Sequence, residues 1–185
     1  MRNFFHIPIL ALLVVLSASN AGNAEDLRDE NILVSMPGDF ELGYHAGNEN
    51  VDMSEYVPKG ETVEDWTHMI TVQVYFHQGN VDPKQFSENL AGLVTQSCPG
   101  AMAVPVRDGT ENGYPYAIWL YECPLNPDTA QPETFFSKAV SGNDAFYDVQ
   151  YAVREEMSDD LIQPSVAFLR SVLVCDTRIP EQACP

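Results

Sequence analysis

The sequence predicts an α+β fold: a twisted antiparallel sheet of about six or seven strands with two main helices packed on it, an α/β sandwich. Three observations carry this expectation. About seven segments read as strands, several of them with apolar residues at alternate positions, and follow one another mostly in hairpin order. Two segments place apolar residues at helical spacing behind capping residues. About 160 residues remain once a leader is set aside, enough for one domain with a full core.

The leader comes first in the chain. Arg2 supplies a positive start, residues 4–15 are almost entirely apolar, and small or polar residues follow to Ala24. That order reads as a secretory signal peptide, and the apolar run is too short to span a bilayer comfortably. Gly22 and Ala24 suit cleavage after Ala24, and Ser19 with Ala21 suits cleavage after Ala21. The cut after Ala24 is preferred, because the chain turns acidic at Glu25-Asp26. Residues 25–185 are then expected as a single soluble domain, periplasmic or secreted, with no membrane insertion after the leader is removed.

Residues 32–35 form a short apolar run ended by the turn signal Met36-Pro37-Gly38. Phe40, Leu42 and Tyr44 alternate with Glu41, Gly43 and His45, a half-buried strand. Residues 46–60, with Gly47, Asn48, Asn50, Pro58 and Gly60, read as a loop. Residues 66–77 are the clearest strand, with Trp66, His68, Ile70, Val72, Val74 and Phe76 on one face. Their β-branched and aromatic content supports the assignment. Asp82-Pro83-Lys84-Gln85 is a helix start, followed by Phe86, Leu90, Leu93, Val94 and Ser97 at helical spacing and a stop at Cys98-Pro99-Gly100.

Residues 102–107 and 114–122 predict two strands joined by a turn around Asp108-Gly109 and Asn112-Gly113. The second is apolar on both faces and is expected to be central in the sheet. Residues 124–132 form a proline-rich loop. Residues 134–140 and 145–153 predict two more strands, the latter with Tyr147, Val149, Tyr151 and Val153 opposite Asp148, Gln150 and Arg154. Ser158 caps a second helix whose apolar stripe is Leu161, Ile162, Val166, Leu169, Val172 and Leu173, with Pro164 as a kink or as its true start.

Charge and cysteines narrow the chemistry. The formal net charge is −18. Loss of the leader would remove Arg2 and no acidic residue. A phosphate backbone would be repelled, which argues against nucleic acid and against anionic membrane surfaces. Cys98, Cys123, Cys175 and Cys184 make an even count in an exported chain, which reads as two disulfides. Four cysteines allow three connectivities. Proximity in sequence favours Cys98–Cys123 and Cys175–Cys184. No C-x-x-C pair suggests redox work, and no paired Cys/His spacing suggests a metal.

Four other constellations could carry function. His68 could act in acid–base chemistry. Asn48, Glu49, Asn50, Asp52 and Glu55 gather oxygens in one expected loop, but their spacing fits no EF-hand calcium site. Glu61, Glu64 and Asp65 precede Trp66 as potential paired carboxylates or as a loop docking that ring. His45, Gln73, His77, Asp148, Gln150 and Arg154 fall on polar faces of three expected strands and would line a groove if those strands were adjacent. No motif for a serine nucleophile, a zinc protease or a phosphate loop occurs, and no cofactor is indicated.

Gly60-Glu61-Thr62, Trp66-Thr67, Met69, Thr71-Val72-Gln73 and the ending from Val174-Cys175-Asp176-Thr177-Arg178 through Ala183-Cys184-Pro185 carry a resemblance. They resemble a family of exported, functionally uncharacterised proteobacterial proteins over most of the mature chain. The order of strands and helices resembles PsbP-like domains, which implies an α/β/α sandwich used mainly for binding. The leading expectation is therefore a non-enzymatic periplasmic binding or accessory domain with a protein or small-molecule partner. A second is a periplasmic hydrolase centred near His68 or His77, and a third is a structural partner in an envelope complex. An enzyme should bring His and carboxylates together in a closed pocket; a binding module should show an exposed groove or patch.

Overall fold

The computed structural model describes residues 27–155 and 158–185, so the leader and both cleavage sites lie outside the described residues. In chain order the elements are β1 (Glu30–Leu33), β2 (Phe40–Gly47), β3 (Val51–Pro58), β4 (His68–Phe76), α1 (Pro83–Ser97), β5 (Met102–Glu111) and β6 (Tyr114–Cys123). They continue with β7 (Glu133–Ser141), β8 (Ala145–Val153), α2 (Asp159–Ser171), β9 (Leu173–Asp176) and a 3-10 turn at Pro180–Gln182. Seven strands form an antiparallel sheet in the order β2-β3-β4-β8-β7-β6-β5, and β1 pairs with β9 in a second, two-stranded sheet. This is the α+β architecture expected from the sequence.

Local chemistry explains the element ends. The Asp82 carboxylate accepts hydrogen bonds from the Lys84 and Gln85 amides at 2.8 and 3.4 Å, and Pro83 needs no partner in the first turn. The β5–β6 turn narrows to Asn112-Gly113, both at positive φ, so Asp108-Gly109 belongs to β5 and not to the turn. Gly113 suits its place because φ there is 84°, a left-handed conformation that side chains with a Cβ adopt only with strain. Ser158 precedes α2 but its side chain makes no capping hydrogen bond, and Pro164 sits inside the helix.

Register parity puts the helices on opposite faces of the large sheet. Leu120 packs with Leu169 and Val172 beneath α2. Its neighbour Tyr121 points the other way and donates its hydroxyl to Ser87 O on α1 at 3.1 Å. The main core lies on the α2 side, around Ile70, Ile118, Leu120, Phe136 and Val149. A second cluster of Tyr114, Val140, Tyr147 and Val174 lies beneath β1 and β9. Both disulfides pair as the spacing suggests: Cys98–Cys123 ties the end of α1 to the end of β6, and Cys175–Cys184 closes the tail onto β9.

Four further sequence expectations change. Residues 46–60 are not one loop: Asn48 and its neighbours make a turn and β3 follows. Asn48 Oδ1 accepts from the Asn50 and Val51 amides, so its side chain serves the turn. Polar residues at Asp52, Ser54 and Glu55 hide the alternation of β3, because it lies next to the sheet edge. β6 is covered on both faces but is next to last in the sheet, since α1 crosses over it. Trp66 precedes β4 and packs with Val57, Met69 and Ala152, on the face opposite Ile70. Finally, Leu42 and Tyr44 do not share a face. The register shifts between them, leaving Leu42 opposite Tyr56 and Tyr44 opposite Glu55. Gly43 permits this bulge, because a Cβ would lie 3.0 Å from Val63 and 3.2 Å from Val57.

Candidate functional site

Helix α1 lies across β5, β6 and β7. Beside it, over β4 and β8, the same face of the sheet keeps a cavity of about 290 Å³. Its floor is polar. Gln73 on β4 stands directly across from Asp148 on β8, and Gln150 lies two residues further along the same face. Its wall is mostly apolar: Phe86, Leu90 and Leu93 of α1, with Asn89 beside them and Tyr75 from β4. Phe86 packs against Phe146 at 4.7 Å between ring centroids and edge-on to Tyr75 at 6.2 Å, which holds the wall in place.

Asp148, part of that floor, has no solvent-exposed surface. Its carboxylate accepts from Ser137 Oγ at 2.5 Å and from Gln150 Nε2 at 2.7 Å. Both donors are neutral. Burial pushes the Asp148 carboxyl up to about 6, and the two hydrogen bonds only partly oppose it. Tyr75 donates to Gln73 Oε1 at 2.7 Å, and Gln73 Nε2 lies 3.4 Å from Met53 Sδ. Burial, then the nearby Asp148 charge, pushes the Tyr75 phenol up to about 12. Burial also raises Tyr121, against the opposing effect of its bond to Ser87. The site therefore offers amide groups, a neutral phenol and one buried acid. Leu93, 61% exposed, borders both this cavity and a second of about 230 Å³ lined by Val94, Phe135 and the Cys98–Cys123 pair.

Of the six residues expected to line one groove, Gln73, Asp148 and Gln150 meet here; the other three do not. The bulge at Gly43 turns His45 to the opposite face, where its Nε2 lies 2.8 Å from Asp52 Oδ1. His77 lies past the end of β4 at φ 59° and lines a third cavity, of about 420 Å³, with Glu30, Asp144 and Tyr147. Arg154 shares the face of Asp148 but lies six residues along, about 20 Å in an extended strand. Its guanidinium stacks 4.3 Å over the Trp66 ring, and its Nη1 donates to Glu64 O.

The remaining candidates separate as well. Asp52 faces His45, while Glu55 belongs to the other face, so the oxygens of residues 48–55 do not converge. Glu61 accepts from the Thr67 amide and hydroxyl, which anchors the approach to Trp66. His68 Nδ1 meets Thr67 Oγ1 at 3.2 Å, and its ring stands edge-on to Tyr151. Among the described residues neither His68 nor His77 has a carboxylate within hydrogen-bonding distance.

Two features escaped the sequence reading. Lys138 is buried on the α2 side, donating to Glu111 at 2.5 Å and to Val172 O at 2.6 Å. Its signal was a lone charge between Phe136 and Val140 on an apolar strand face. Glu30 accepts from the Asn143, Asp144 and Ala145 amides and from the Tyr147 hydroxyl, tying β1 to the β7–β8 turn. No local pattern announces that contact, because it spans more than a hundred residues.

No family model and no curated protein matches the chain. Among solved structures, the chain is similar to the Ran-binding protein Mog1p of Saccharomyces cerevisiae, with 12% identity and a TM-score of 0.43 over 77% of this chain and 85% of that one.

Proposed function

We propose that this chain is an exported accessory domain that binds a small ligand in the cavity beside α1. The observation that carries the reading is the arrangement of that cavity, a floor of Gln73, Asp148 and Gln150 under a wall of Phe86, Leu90 and Leu93. Ligand sites pair an apolar lining with a few polar groups in this way. The two disulfides and the leader-like residues 1–24 support export. The resemblance of residues 60–73 and 174–185 to exported proteobacterial proteins supports the same reading. No helix of the described residues is long and apolar enough to cross a membrane.

Two measurements test this. N-terminal sequencing of protein from the periplasm should begin at Glu25; uncut protein in the cytoplasm would defeat the export reading. A fragment screen read by amide chemical shifts should give hits clustering on Gln73, Asp148, Gln150 and Leu90. Hits confined to the cavity beside His77 would move the site to the opposite face.

A further inference from the structure

We propose that the ligand taken by the α1 cavity is a small organic cation, a primary amine carrying an apolar tail. This rests on the binding role stated above and names the ligand class. Asp148 is fully buried, yet its hydrogen bonds come only from a hydroxyl and an amide. A buried carboxylate without a cation is expensive, and natural proteins pair such groups. The cavity lies directly beside it, and no Lys or Arg lines that space. An ammonium entering there supplies the missing countercharge.

Each part of such a ligand finds a partner. Its N–H groups reach the Gln73 and Gln150 side-chain oxygens. Asp148 becomes reachable when the Gln150 amide gives up its bond and turns its oxygen to the cation. The tail lies along Leu90 and Leu93, and Tyr75 adds an aromatic face near the charge. An anion would meet the buried acid with no cation to offset it, and the net charge of −18 repels anions at longer range.

The groups facing Asp148 leave it as the one that titrates near neutrality. Tyr75 on β4 and Tyr121 on β6 stay neutral there, Ser137 comes from β7, and α1 presents Phe86, Asn89 and Leu90, none of them charged. The cation selects the ionised acid, so its affinity rises with pH and levels off above about 6.

The test is a titration of the isotopically labelled mature protein with n-hexylammonium, 1-hexanol and hexanoate, followed through amide shifts. Hexylammonium should move the signals of Gln73, Asp148, Gln150 and Leu90, binding about tenfold more weakly at pH 5 than at pH 7. Asp148→Asn should remove that pH dependence and weaken hexylammonium at pH 7 by about tenfold or more. Asn89 is exposed at the wall, so Asn89→Lys should fold normally, weaken hexylammonium and leave hexanol unchanged. If hexanol or hexanoate matches hexylammonium at these residues, or if the two variants bind it as the wild type does, the cation inference falls and the cavity reading stands. If none of the three probes moves these signals, both fall.

Discussion

Replacing Asp148 with asparagine turns a buried acid into a neutral amide of nearly the same shape, and the consequence for stability can be worked out. The carboxyl titrates near 6 in the folded chain against an ordinary 3.8. The folded state thus holds the proton more tightly than the unfolded state does. Stability from this group is fully present below 3.8 and is lost as pH rises through about 6. At about 1.4 kcal/mol per pH unit, the loss is about 1 kcal/mol at pH 4.5 and about 3 kcal/mol at pH 7. The substituted amide carries no charge to bury, so Asp148→Asn escapes that loss. It still weakens the bonds from Ser137 and Gln150, a pH-independent cost of about 1 kcal/mol. The variant should gain about 2 kcal/mol on the wild type between pH 4.5 and pH 7, and should be the more stable of the two at pH 7. Urea unfolding of both proteins at the two pH values measures this, and the other carboxylates cancel in the difference. A stability difference that stays constant with pH would refute the reasoning, because Asp148 would then be solvated or paired.

Three further outcomes are expected. Lys138 is 1% exposed and its partner Glu111 is 37% exposed, so Glu111→Ala should cost more stability, about 2 kcal/mol, than Lys138→Met, about 1 kcal/mol or less; the reverse order in denaturant unfolding would mean the lysine is not held as an ion. Glu30→Ala removes the acceptor for three turn amides and the Tyr147 hydroxyl. It should cost about 2 kcal/mol and speed amide exchange at Asn143, Asp144 and Ala145, whereas unchanged exchange would show the turn to be self-supporting. The 25-residue separation of Cys98–Cys123 exceeds the 9 of Cys175–Cys184, so removing the first pair should destabilise more, by roughly 1 kcal/mol on chain entropy; a larger loss from the second pair in parallel melts would contradict that account.

What the sequence determined by itself was decided within a few residues of each position. The start of α1 follows from Asp82 and Pro83, because a carboxylate and a ring without an N–H satisfy the first turn locally. The β5–β6 turn follows from Asn112-Gly113 and its positive φ angles. The strands β4 and β8 follow from period-two alternation, and Gln73, Asp148 and Gln150 were placed on polar faces by that parity. The disulfide pairing followed from proximity along the chain.

Tertiary structure decided which of those polar faces met. Pairing of β4 with β8 sets Gln73 opposite Asp148, and strand order is a property of the whole sheet. A single bulge at Gly43 sends His45 to the other face, because adding one residue to a strand reverses every side chain beyond it. β3 stayed hidden because a strand next to an edge needs few apolar residues. The sequence puts Asp148 and Lys138 on strands and does not say which layer covers each. They are buried on opposite faces, Asp148 on the α1 side and Lys138 on the α2 side, because the helices cover opposite sides of the sheet. Burial depends on which layer lands above a residue, and a chemical identity read one position at a time does not contain that information.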